Sequence, residues 1–135
     1  MSRIDDHVSG AAPLAAFVSN AVLAEGSAQR AGSRVCEIAA HALGLARVGV
    51  WLAEHEQDRL RCIALHAEEG AKGLPELKIS THAAYCLSVL GTRFVAADEV
   101  TTDPRTRELV EDYLRPNGVT SMLDAAIYRD GRVIG

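Results

Sequence analysis

Two rhythms of apolar and polar positions run along this chain, and the change from one to the other divides it. Over residues 13–25, Leu14, Phe17, Val18 and Ala21 recur at i, i+3, i+4 and i+7, the spacing of a helix that lays one face on a partner. Gly26-Ser27 punctuates it, and a second helix is predicted over residues 28–43. Its Val35, Ile38, Ala39 and Ala42 face inward, its Arg30, Arg34, Glu37 and His41 outward or at the rim, and Gly44 stops it. The chain then turns β-rich. Residues 47–52 (Arg-Val-Gly-Val-Trp-Leu) and 60–65 (Leu-Arg-Cys-Ile-Ala-Leu) flank the polar stretch 54–58 as the two arms of a hairpin. Val48, Val50 and Leu52 fall on one face and Trp51 on the other, so the sheet is expected to be covered on both sides, at least in part.

Beyond the hairpin, residues 68–75 read as a polar loop carrying Gly70 and Gly73, and 76–79 as a short strand. Thr81 is placed to cap a third helix over 83–90 that ends at Gly91, and 93–97 is another short strand. The most sharply punctuated stretch is 101–127. Asp103 can receive the free amides of a first turn, and Pro104 suits the first helical position. Leu109, Val110, Tyr113 and Leu114 share one helical face while Arg105, Arg107, Glu108, Glu111 and Asp112 point away, and Pro116 ends the run. Asn117-Gly118 turns the chain into an apolar strand over 119–127, and Arg129-Asp-Gly-Arg132 forms a hairpin turn. With residues 1–10 as a flexible lead, the order predicts one α+β domain over 11–135: an antiparallel sheet with amphipathic terminal helices on one face and shorter helices and loops on the other.

Composition narrows the functional classes. At 135 residues and 48% hydrophobic content, one domain with a real core is expected. A net charge of −4 with scattered arginines argues against nucleic-acid binding. The apolar run 11–24 falls short of the ~20 residues that span a bilayer and follows Asp5 and Asp6, so no direct membrane insertion is expected. Cys36, Cys62 and Cys86 are odd in number, far apart and within apolar segments, which points to reduced thiols and a cytoplasmic setting.

Several of these pieces together resemble the GAF domain, a sensor module of bacterial signalling proteins. They are 47–52 followed by Asp58-Arg-Leu-Arg-Cys62, the helix start Thr102-Asp-Pro-Arg105, Tyr113-Leu-Arg-Pro-Asn-Gly118, and Ser121-Met-Leu-Asp-Ala-Ala-Ile127 with Arg129-Asp-Gly-Arg-Val-Ile-Gly135. Their order is similar to that in GAF sensors of histidine kinases and cyclic-dinucleotide enzymes. The resemblance implies a GAF-like sheet with a ligand cavity bounded by the helices at 83–90 and 106–114. His82, Tyr85, Cys86, Phe94, Asp98, Tyr113 and Met122 are then its candidate lining. It further implies an unidentified small-molecule effector, a homodimer and relay to an output domain, with no catalytic residue of its own. The family usually has proline where Ala126 stands, and its next strand lies centrally beside the first; only Val133, Ile134 and Gly135 of that strand are present, so a truncated last strand is expected.

Other chemistry finds weaker footing. Phe94-Val-Ala-Ala-Asp98-Glu99 matches half of a cyclic-nucleotide motif whose Asn-Lys half is absent, and Cys86 is followed by Leu87 rather than the histidine frequent in bilin-binding relatives. A cysteine-dependent sulfoxide reductase remains a remote alternative, with Arg61 beside Cys62 the one adjacent activator, and a scaffold that only dimerises and relays is another. His7, His41, His55, His66 and His82 make no pair at metal-binding spacing, so no metal site is expected and the cofactor is left open. His55-Glu56 resembles the start of a phosphoacceptor motif but falls in a hairpin turn.

Overall fold

The structure, a computed structural model, describes residues 27–68 and 73–135. The lead at 1–10, the helix expected over 13–25 and the centre of the loop at 68–75 lie outside the described residues. The rest falls into two compact units, one within 13–78 and 127–135 and one within 79–126.

In the first unit, helix α1 (Ala28–Leu43) begins at Ser27, whose hydroxyl accepts the Arg30 amide at 3.2 Å, and ends at Gly44 with φ 62°. Strands β1 (Arg47–Glu54) and β2 (Arg59–Ala67) form the expected antiparallel hairpin, joined by a 3-10 turn at His55–Gln57, and β3 (Glu76–Lys78) adds to the other edge of β2. Arg30, Arg34, Glu37 and His41 are exposed as expected, but the buried stripe of α1 is Ala31, Gly32, Val35, Cys36, Ala39 and Ala40. Ile38, expected inward, is 48% exposed, and Ala42 is exposed too. The physical reason is the spacing of the two layers. A Cβ on Gly32 would meet the Ala64 Cβ at 3.1 Å, so the helix turns its smallest residues toward the sheet and swings the bulkier Ile38 out.

Between the layers, Cys36, Val50, Ile63, Ala64 and Ile127 form a buried cluster flanked by Ala28, Val48, Leu52 and Ile134, which gathers Val48, Val50 and Leu52 from the face of β1 on which the alternation sets them. Three consecutive residues of β2, Cys62, Ile63 and Ala64, are buried, so both faces of the strand are covered at its centre. A register shift between Val50 and Trp51 sets the second half of β1 against Cys62, Arg61 and Leu60. At the open end, Glu54 accepts from Arg59 Nε at 2.9 Å and Arg61 Nε at 2.7 Å, and these bonds hold its carboxyl below the usual range.

The Asp-Gly turn is present: Asp130 (φ 50°) and Gly131 (φ 76°) join β6 (Tyr128–Arg129) to β7 (Arg132–Val133). Ile134 N–H then donates to Ile127 O at 2.8 Å, and Ile134 O accepts from Ala53 N–H at 2.8 Å. So β1 has β2 on one side and the residue after β7 on the other.

The second unit holds α2 (Ala83–Thr92) and the antiparallel pair β4 (Phe94–Ala97) and β5 (Met122–Ala125). Two sequence expectations change here. Thr81 does not cap α2; its hydroxyl bonds His82 Nδ1 at 3.1 Å, and the helix runs through Gly91 to Thr92 before Arg93 closes it at φ 68°. The helix expected from Asp103 to Leu114 is instead a turn, a 3-10 segment at Arg107–Leu109 and a π turn at Val110–Leu114.

Its first turn is diverted by side chains. Arg105 forks onto the Asp103 carboxylate and reaches Ala96 O at 2.6 Å, and the buried Thr106 hydroxyl donates to Val100 O at 2.7 Å. The wider turn that follows lets Leu109, Val110 and Leu114 all go into the core with Val95, Ala97 and Val100. The strand expected over 119–127 is shortened for the same reason: Val119 N–H caps Leu114 O at 2.9 Å, and Thr120 O receives the Val100 amide at 3.1 Å.

Replacing Gly32 by Val tests the close layer. The added bulk at Ala64 is expected to lower stability by about 1–3 kcal/mol, read by urea denaturation, while Ile38→Val at the exposed position should stay within about 0.5 kcal/mol.

Candidate functional site

Strand pairing in the second unit decides which candidate residues meet. Val95 lies opposite Asp124 and Ala97 opposite Met122, so these four share one face of the β4–β5 ladder, while Phe94 opposite Ala125 and Ala96 opposite Leu123 take the other. Val95 and Ala97 are fully buried. A carboxylate on such a face needs a donor, and the Tyr85 hydroxyl from α2 donates to Asp124 Oδ2. Burial pushes the Asp124 carboxyl above the usual carboxylate range, with the Tyr85 bond opposing, and pushes the Tyr85 phenol well above its ordinary value, helped by the Asp124 charge. Cys86 and Tyr113 stand close enough to Tyr85 to add to that rise.

The start of α2 is fixed from the same side. Its Tyr85 amide, one of the first-turn donors that have no partner within a helix, donates to Glu108 Oε1 at 3.1 Å. Glu108 acts as the cap that Thr81 was expected to be, and a carboxylate there also suits the positive end of the helix. The half-buried Cys86 thiol is raised first by burial and then by the Glu108 charge. His82, 2% exposed, bonds through Nε2 to Asp112 Oδ2 at 3.2 Å, which ties the residue before α2 to the π turn that carries Tyr113.

Of the residues chosen from sequence, then, Tyr85, Cys86 and Tyr113 come together, Met122 shares the Asp124 face, and His82 joins the group through the π turn. Phe94 lies on the opposite face of the ladder and Asp98 is exposed beyond the end of β4, so neither is brought to this group. Asp124, Glu108 and Asp112 were not chosen. The signal for Asp124 was present: a lone acid inside the apolar run Met-Leu-Asp-Ala-Ala-Ile, two residues from Met122 and therefore on its face. Nothing local marks Glu108 or Asp112, whose roles are set by tertiary contacts.

The remaining chemistry is quickly placed. His55 sits exposed on the hairpin turn, and His41 and His66 line an open groove with Glu37, Ile38, Ala42 and Glu68. No group of three or more His, Cys, Asp or Glu able to hold a metal occurs among the described residues. Cys36 and Cys62 are buried, with both thiols directed at Ala64 O, at 3.8 and 3.2 Å. Burial raises both, Cys36 to about 11 with help from Cys62, so they rest as protonated thiols rather than nucleophilic thiolates.

A helix laid on an antiparallel hairpin, followed in sequence by a helix and a strand pair joined through an irregular segment, defines an α+β module. Residues 27–135 match the family model of the GAF domain, and the chain belongs to that family. Solved structures agree on the fold. A free methionine-R-sulfoxide reductase from Neisseria meningitidis in complex with its substrate is similar at TM-score 0.63 and 16% identity, over 87% of this chain and 65% of that one. This chain thus spans less than two thirds of that reductase. Residues 122 to 287 of a methyl-accepting chemotaxis protein match at TM-score 0.61 and 20% identity, over 87% of this chain and 75% of that one. The A. aeolicus nlh2 GAF domain in an inactive state matches at 0.60 and 12%, over 91% and 74%. No curated protein sequence matches the chain. No helix among the described residues is long and apolar enough to cross a membrane.

The sign of the Asp124 shift gives a pH test. A carboxyl whose folded pKa is raised favours the folded state fully below its unfolded pKa and loses that contribution as pH rises through the folded value. Asp124→Asn keeps an acceptor for Tyr85 without the charge. Its melting temperature is expected to exceed that of the wild type at neutral pH, with the gain vanishing below about pH 4. Tyr85→Phe leaves the carboxylate without its donor and is expected to cost about 1–3 kcal/mol in urea denaturation at neutral pH.

Proposed function

We propose that the chain is a small-molecule-sensing regulatory module of a cytosolic bacterial signalling protein, and that its effector contacts the face formed by Tyr85, Asp124, Tyr113, Cys86 and Met122. The observation that carries this reading is the Tyr85–Asp124 pair, a phenol and a carboxylate held on an otherwise apolar strand face where a core would place hydrocarbon. A GAF domain is a signalling module by family, and one solved neighbour is part of a chemotaxis protein, which supports a signalling parent.

The same contacts supply a route for relay. Glu108 holds the start of α2 and Asp112 holds His82, so an effector that prefers one arrangement of Tyr85 biases the irregular segment at 107–114 as well. An output domain of the histidine-kinase or cyclic-dinucleotide type would read that bias. The sulfoxide-reductase alternative receives no support from the thiols, since Cys36 and Cys62 are buried with raised pKa values and Cys86 is raised too.

Sensing requires an effector that binds the folded chain. At one hundred times its dissociation constant it should add about 2.7 kcal/mol of stability and raise the melting temperature measurably. A melting temperature that stays constant across saturating pools of amino acids, nucleotides, organic acids and amines overturns the sensing reading.

A further inference from the structure

Among the described residues of 79–126, no positive group pairs with the acid on the Tyr85–Asp124 face. Asp124 Oδ2 receives the Tyr85 hydroxyl, whereas Oδ1 accepts no hydrogen bond among the described residues. No fully buried side-chain oxygen among them lacks a partner, so Oδ1 is reached from outside. The residues that could neutralise it are engaged elsewhere or exposed. Within 79–126 there is no lysine; Arg105 is committed to Asp103 and Ala96 O, Arg115 pairs with Glu111, and Arg93 and Arg107 are exposed. The titration of Asp124 responds to its burial and, in the opposite sense, to the Tyr85 hydrogen bond. The nearby acids are spent: Glu108 on the Tyr85 amide and Asp112 on His82.

We infer that this face takes the cationic end of a small organic ammonium compound, Asp124 Oδ1 accepting an N–H of the ammonium group while the phenols of Tyr85 and Tyr113 flank it. The inference rests on the reading of this face as the effector wall. Three properties favour that chemical class. A charge-assisted hydrogen bond to a carboxylate is about twice as strong as a neutral one, and here the acceptor is already desolvated on one side. Tyrosine rings attract ammonium groups electrostatically, and the half-buried Met122, on the same face as Asp124, offers an apolar surface to a carbon skeleton. A bare metal ion fits poorly, because one free carboxylate oxygen and a phenol fall short of the six to eight oxygens that calcium takes.

Probes of one shape and three charges test this: n-butylammonium, butanol and butyrate, titrated into the full chain carrying 13C-labelled tyrosine and aspartate. The ammonium probe is expected to shift the Tyr85, Tyr113 and Asp124 carboxyl signals saturably. Its affinity should fall about tenfold or more in Asp124→Asn, and should fall in the wild type as the pH is lowered through the Asp124 titration. Asp124→Asn retains the acceptor for Tyr85, and unchanged near-ultraviolet dichroism confirms its fold. If butanol or butyrate shifts the same signals as strongly, the ammonium class is overturned and the effector wall stands. If the ammonium shifts are the same in Asp124→Asn, the role of Asp124 is overturned. If none of the three probes moves the Tyr85 and Tyr113 signals, the class and the wall fall together.

Discussion

A carboxylate on the buried face of a short strand is the constraint around which the second unit is arranged. Asp124 shares its face with Val95, Ala97 and Met122, and taking its charge out of water would be costly without a partner. The partner comes from α2, so the helix must present Tyr85 at one place along the β4–β5 ladder. Once Tyr85 is there, its amide lies where Glu108 can cap it, and the 3-10 segment at Arg107–Leu109 is drawn in behind. His82 and Asp112 fasten the next turn. Each contact is modest, but they share residues: loosening Tyr85 releases a carboxylate, a helix end and a cap at once.

The first unit obeys a steric constraint rather than an electrostatic one. Gly32 and Ala64 meet so closely that α1 has a single seat on the hairpin. That seat explains why Cys36 points inward with Ala39 and Ala40 while Ile38 remains outside. It also shelters the two thiols directed at the Ala64 carbonyl and keeps them protonated, which is why cysteines that look versatile in sequence are packing residues here.

Where a single rule dominates, the sequence was readable. Helix α1 with its Gly44 stop, the β1–β2 hairpin, the strand at 94–97 and the Asp130-Gly131 turn all follow from local periodicity and turn chemistry. The reading failed where side chains compete with the helical backbone. Asp103 and Pro104 looked like a helix start, yet Arg105 and Thr106 send their donors to Ala96 O and Val100 O. The candidate site divides in the same way. The resemblance to GAF domains marked Tyr85 and Cys86, on the helix it sets beside a cavity, but only the ladder register shows that Met122 belongs with Asp124 and that Phe94 faces away. Capping of α2 by Glu108, a residue 23 positions from Tyr85, leaves no local trace.

The π turn at Val110–Leu114 sets the length of chain that this region tolerates. Such a turn holds one residue more than an α-turn, so it behaves as an insertion absorbed without a loop. Removing a single residue there would restore a regular helix, but it would rotate everything beyond the deletion by about 100° relative to what precedes it. Depending on where the cut falls, either Leu114 leaves the core or Asp112 and Tyr113 turn away from His82 and Tyr85. Natural variation in length is therefore better accommodated in the exposed turn at 115–118, where Gly118 already adopts φ 66° and no core side chain is carried.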